Sequence, residues 1–156
     1  MTDVATGALP EYRCTVLPEW IDYNGHMSEA FYVLVFGFAT DQVMEVLGMD
    51  KRYRQETGSS LYTVEAHIRY LMETALDAEL TVTTIIAGGG PKKLHLAHEL
   101  HVGGQLAATE EILALHVNTL TGRTEAFPQA VSDNIATVWA ASGHRTPEWV
   151  GRKVTA

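Results

Sequence analysis

Asp22-Tyr23-Asn24-Gly25-His26-Met27-Ser28-Glu29-Ala30-Phe31-Tyr32 is the stretch on which the reading of this chain turns. Asp22 to His26 has the composition of a turn, because Asn and Gly tolerate positive φ and an Asp side chain can bond the backbone just after it. Directly behind it, Ala30 to Thr40 reads AFYVLVFGFAT. A helix apolar on nearly every side cannot lie on a surface with one wet face. The pattern predicts a helix from about Ser28 to Leu47, with Ser28 as N-cap and Gly48 just past the C-terminus. The N-terminus of such a helix directs free N–H groups and a partial positive charge forward, here toward an acid and an imidazole.

Outward from this stretch, the period of the apolar residues changes. Tyr12 to Leu17 reads as a short strand stopped by Pro18, and Lys51 to Ser60 as a polar connection. Tyr62, Val64, Ala66, Ile68 and Tyr70 alternate with Thr63, Glu65, His67 and Arg69, the mark of a half-buried strand. Leu80 to Ala87 is β-branched and is followed by Gly88-Gly89-Gly90-Pro91, read as a hairpin turn. It lacks the Gly-Lys-Ser/Thr ending of a phosphate loop. Leu94 to Val102 alternates again, Gly103-Gly104 signals a two-residue hairpin, and Gln105 to Asn118 is a long strand. Pro128 to Ala141 is a last helix. Residues 1–10 are expected to form a loose arm and 128–156 a C-terminal helix and tail of one domain. Antiparallel strands with a helix on one face make an α+β fold, and a helix apolar all round requires the sheet to curl about it.

Composition narrows the function. The 156 residues carry a net charge of -8, against the basic footprint that nucleic acid demands. One cysteine, Cys14, excludes a disulfide framework and fits a reducing compartment. It reads as a small buried hydrophobe. The first ten residues lack a basic start and an apolar core, and the Ala30–Thr40 run falls short of the roughly twenty residues of a membrane span. The expectation is a cytoplasmic protein with no membrane and no nucleic-acid partner. His95, His98 and His101 do not converge on a metal, since alternation puts His98 on the opposite face of its strand.

The element order and the Asp22–Met27 turn resemble the hotdog-fold acyl-CoA thioesterases, in which a curved antiparallel sheet of about five strands wraps one long buried helix. Asp22, Gly25 and His26 match the pattern D-x-x-G-H-x-N-N of many of these enzymes, and Ser28-Glu29 stands where the paired asparagines begin. Within the fold the chain is similar to betainyl-CoA thioesterases through Glu19 to Met27, Tyr62 to Arg69 and Lys93 to Leu100. The resemblance implies hydrolysis of a thioester, most closely betainyl-CoA to glycine betaine and CoA in carnitine catabolism. CoA enters as part of the substrate, with no other cofactor and no metal. It implies a homodimer or homotetramer with sites at subunit interfaces. Asp22 would then be nucleophile or general base, and Glu65 a second acid. A thioesterase for another short or aromatic acyl-CoA and a non-catalytic acyl-CoA-binding protein are the alternatives.

Each candidate also has a structural reading. Asp22 before Asn-Gly suits a turn, but an acid in a water-poor pocket beside an imidazole can be tuned to act as a base. His26 either enters the helix on backbone hydrogen bonds or orients Asp22 and the thioester carbonyl. Asn24 would help hold the substrate from the same turn. Glu65 and His67 share one strand face, either solvated or part of the site. Lys92, Lys93 and Arg123 are solvated or meet the CoA phosphates. Trp20, Tyr23 and Tyr62 could offer ring faces to a quaternary ammonium, each worth about 0.5–2 kcal/mol. Trp20 could equally close the turn onto the core.

Overall fold

The structure is a computed structural model that describes residues 7–155. Among these residues, six antiparallel strands form one sheet that curls around a central helix. In chain order these are β1 (Tyr12–Thr15), α1 (Glu29–Leu47), α2 (Lys51–Thr57), β2 (Ser59–Tyr70), β3 (Glu79–Gly90), β4 (Lys93–Val102), β5 (Gln105–Asn118), β6 (Arg123–Thr124) and α3 (Gln129–Ala141). The spatial order is β1-β3-β4-β5-β2, with β6 on β5. This is the hotdog arrangement that the sequence implied.

Helix α1 is held by two apolar clusters. Tyr32, Val35, Phe36 and Ala39 pack with Val16, Leu80 and Leu100, while Val43 and Leu47 meet Ile86, Leu94, Leu96 and the inner face of α3. Each fully buried Leu, Ile or Phe contributes about 1.5–3 kcal/mol, so this central seam is the main stabilising term. One polar tie crosses it: Thr40 Oγ1 lies 3.0 Å from His98 Nε2, and Thr84 Oγ1 lies 2.7 Å from the other ring nitrogen. His98 is therefore satisfied at both nitrogens by neutral hydroxyls, and burial pushes its pKa down to about 3. The helix ends at Gly48, whose φ of 91° is the left-handed cap expected of a glycine.

The helix is longer than its most apolar run. It spans 19 residues, so by length and mean hydropathy alone it could cross a membrane. The sheet and α3 packed against it account for the same apolar content, and Asp41 and Glu45 stand in its second half.

Three local expectations change, and the strand order departs from the order along the chain. Lys51–Thr57 is a helix rather than connection, with the Asp50 carboxylate accepting the Tyr53 N–H at 2.8 Å as a cap. Gly88 to Gly90 are strand residues paired with His95, Leu94 and Lys93, so the turn is Pro91-Lys92. Gly88 follows a register shift after Ile86, a place where a missing side chain eases the bend. Strands β2 and β3 are not neighbours: the link between them crosses the end of the sheet, and β2 pairs with β5. Finally, β2 carries a bulge between Thr63 and Glu65 that reverses its alternation. Leu61 is buried, Tyr62 and Val64 are exposed, and Ala66 returns to the helix side.

Of the arm expected over residues 1–10, residues 1–6 lie outside the described residues. Leu9 packs against the cluster under α3, and a side chain on Gly7 (φ 66°) would collide with Ala141. The last helix begins at Gln129, one residue after the expected Pro128. Beyond it the tail returns over the outer face of the sheet, where Trp149 Nε1–H donates to Glu99 and the Gly151 N–H to Glu111.

Candidate active site

The Asp22–His26 turn is built by its own backbone. The Gly25 N–H donates to the Asp22 carbonyl at 3.0 Å, and the Asp22 N–H donates to the His26 carbonyl at 3.1 Å. One Asp22 carboxylate oxygen accepts the Asn24 N–H at 2.8 Å. Gly25 sits at φ 83°, a conformation that the glycine makes accessible. The turn is then anchored from outside. Met27 N–H donates to Thr74 O on the β2–β3 link, Ser28 N–H donates to Trp20 O, and Ile21 bridges to Met27. Tyr32 Oη–H donates to Thr74 Oγ1 at 2.8 Å, so the link that crosses the sheet holds both the turn and the first turn of α1.

Helix α1 starts at Glu29, directly after Ser28. The Ser28 side chain makes no capping bond, so the first-turn N–H groups have no side-chain partner from the cap. The Phe31 N–H is taken by the Ser28 carbonyl at 3.0 Å, which leaves the Glu29 and Ala30 N–H groups as the donors an oxyanion could use.

The remaining sequence candidates fall in different places. Trp20 is buried and stacks on Phe31, ring centres 5.6 Å apart, closing the turn onto the core. Tyr23 is 99% exposed at the turn tip. The His26 ring faces Glu73, Nε2 to Oε2 3.5 Å, with the His26 side chain partly exposed and the Glu73 side chain largely so. Glu65 and His67 lie on the outer face of the sheet. There they line a cleft of about 400 Å³ with His95, Glu111, Arg152 and Lys153 from the tail. His95 Nε2 and Glu111 Oε2 are 2.8 Å apart in it. None of Asp22–His26 lines that cleft. Tyr62 and Lys93 flank Leu115 across three strands, and Lys92, Lys93 and Arg123 are all exposed near that end of β5. One chain thus brings Asp22, Asn24 and His26 together, and Glu65 with His67, as two separate groups.

Sequence reasoning passed over Glu110. It continues the inward alternation of Ala108, Ile112 and Ala114 on β5, and an acid on that register was a visible signal. Glu110 is 5% exposed and lines a cavity of about 240 Å³ between α1 and β2. Burial pushes its pKa up to about 8.

A curled sheet around one helix, with an acid-bearing turn at the helix start, defines a thioester-hydrolysing hotdog domain. The chain belongs to the Thioesterase-like superfamily, whose profile matches residues 16–135. It is 40% identical over 94% of both chains to a betainyl-CoA thioesterase of Pseudomonas aeruginosa. It is also 47% identical over 72% of its length to an L-carnitine dehydrogenase/betainyl-CoA thioesterase of Agrobacterium fabrum, covering 23% of that longer protein. Among solved structures, a Staphylococcus aureus protein in complex with CoA superposes with a TM-score of 0.88, at 33% identity and 94% coverage of each chain.

Proposed function

We propose that this acyl-CoA thioesterase hydrolyses betainyl-CoA to glycine betaine and CoA, with Asp22 as its catalytic acid. The observation that carries the substrate is the 40% identity to a betainyl-CoA thioesterase across nearly the whole of both chains. The turn geometry supports the chemistry. The Asp22 carboxylate either attacks the thioester carbonyl carbon or takes a proton from the water that does. The C–S bond breaks, and the CoA sulfur leaves and is protonated. On the first route water then hydrolyses the aspartyl–acyl anhydride and frees Asp22; on the second, the proton taken from water is the one the sulfur receives. Both routes place negative charge on the carbonyl oxygen, where the first-turn N–H groups of α1 are suited to receive it. Asn24 and His26 frame the carboxylate. Lys92, Lys93 and Arg123 offer the positive charge that CoA phosphates need on a chain of net charge -8. Glu65 and His67 serve from the outer face, where Tyr62 also lies.

The working unit is a homo-oligomer. Strands β1 and β2 are the two edges of the sheet, and between them α1 leaves Val33, Leu34 and Phe38 exposed, at 44%, 40% and 38%, with Val33 toward β2 and Phe38 against Tyr12 of β1. An unpaired edge next to an apolar helix face is the surface a two-fold partner covers.

A panel of acyl-CoA thioesters assayed by release of free thiol tests the function. Betainyl-CoA should give the highest kcat/KM. Higher turnover of neutral short-chain or aromatic thioesters refutes the substrate, and no turnover of any thioester refutes catalysis.

A further inference from the structure

The cavity between α1 and β2 has an unusual composition. Its helix wall is a stripe at Val33, Gly37, Thr40, Asp41 and Met44, and its strand walls include Leu61, Thr63, Ala66 and Ile112. A side chain built on Gly37 would meet nothing within 4 Å, so the glycine leaves open space. Into this apolar slot projects the Glu110 carboxyl. Among the described residues it takes part in no ion pair, and no Lys, Arg or His lines the cavity.

The groups around Glu110 are neutral or acidic on every side. From β4 comes His98, committed at both nitrogens to Thr40 and Thr84 and uncharged near neutrality. From α1 comes Asp41 at the cavity wall, its pKa raised by burial and then by Glu45. From β2 comes Tyr70, whose hydroxyl donates to Glu29 O. Removal from water disfavours the ionised carboxylate, so the free protein holds Glu110 protonated up to about pH 8. The one thing this slot lacks is a cation.

The slot is also in the right place and of the right size. It begins at Val33, one turn or about 6 Å along α1 from the helix start that the Asp22 turn leads into. At about 240 Å³ it is smaller than a pocket for a drug-sized ligand and suits a short acyl group.

We propose that this cavity receives the acyl group of the substrate and that Glu110 is the counter-ion of a permanent positive charge on it. Glu110 is thereby the residue that sets selectivity for a quaternary ammonium acyl-CoA over a neutral one of the same shape. This rests on the betainyl-CoA reading and locates its charge recognition in a residue of β5. Binding a cation favours ionised Glu110, so below about pH 8 the substrate expels a proton as it enters.

The experiment compares betainyl-CoA with 3,3-dimethylbutyryl-CoA, which keeps the shape and lacks the charge. In the wild-type protein kcat/KM should favour the charged thioester by roughly thirtyfold. In Glu110→Gln that ratio should fall to about one. Gln mimics the neutral acid present in the free protein, so the variant should fold, and its melting temperature checks this. Wild-type enzyme gives a second measurement that needs no variant: the charged-to-neutral ratio should climb as pH rises from about 6 to about 8.5. Effects of pH on the chemistry itself divide out. A folded Glu110→Gln that keeps the wild-type ratio overturns the assignment while leaving betainyl-CoA as substrate. Equal loss on both thioesters overturns it as well, because the carboxyl would then serve catalysis or structure. No preference in the wild type removes the substrate reading and this role together.

Discussion

The Asp22 N–H and the His26 carbonyl oxygen are 3.1 Å apart, and that bond closes the turn that carries Asp22 and leads into α1. His26 holds Asp22 through its backbone, while its ring faces Glu73. The division between backbone and side chain separates two predictions.

Asp22→Asn keeps an acceptor for the Asn24 N–H, so the turn should survive. Loss of the ionised carboxylate should lower turnover by about 10²–10⁴-fold. Thiol release and a melting curve measured on the same preparation check this, and near-normal turnover removes Asp22 from the catalytic role.

His26→Ala retains the carbonyl that Asp22 uses. If the backbone is what matters, kcat should fall by less than about tenfold, far less than for Asp22→Asn. A loss equal to that of Asp22→Asn would show that the imidazole itself acts on the substrate.

Gly25→Ala has room for the added methyl but must adopt φ 83°. The left-handed conformation should cost about 1–2 kcal/mol, expressed as lower activity and a lower melting temperature. Unchanged stability would mean that the turn relaxes to another conformation.

Stability should depend on pH through two buried groups of opposite sign. His98 is held near 3 against an ordinary 6.5, so the unfolded chain binds its proton first and stability falls as pH drops below about 6.5. Glu110 is held near 8 against an ordinary 4.5, so the folded chain retains the proton and stability falls as pH rises from about 4.5 to about 8. The two slopes oppose each other between about 4.5 and 6.5. Above 6.5 only the Glu110 slope remains, at most about 1.4 kcal/mol per pH unit. Chemical denaturation from pH 5 to 9 checks it, and Glu110→Gln should flatten the alkaline decline.

Leu34→Glu places a charge on the exposed apolar strip of α1. The chain should still fold, because Leu34 is outside the core clusters, but the oligomer should dissociate at micromolar concentration. Light scattering reads this directly. A wild-type protein that is an active monomer at that dilution would refute the assembly.

Elements whose signals are local were legible in the order of the residues. The run from Ala30 to Thr40 demanded burial on most sides, Gly48 ended the helix, and Gly103-Gly104 set the β4–β5 hairpin. The Asp22–His26 turn was legible for the same reason: its hydrogen bonds span at most four residues. Lys51–Thr57 escaped because it buries no side chain, which leaves a short helix without an apolar period. Tertiary structure decided what depends on partners distant in the chain. The bulge after Thr63 arises from pairing with β5, and it turned Tyr62 and Val64 outward against the alternation read from β2 alone. The stacking of Trp20 on Phe31, eleven residues on, likewise depends on how the turn folds back on α1. Glu110 could be placed on the inward register of its strand, but its isolation depends on what α1, β2 and β4 put around it. A side chain's periodicity tells which way it points, whereas its charge state depends on the solvent and partners that the other elements leave it.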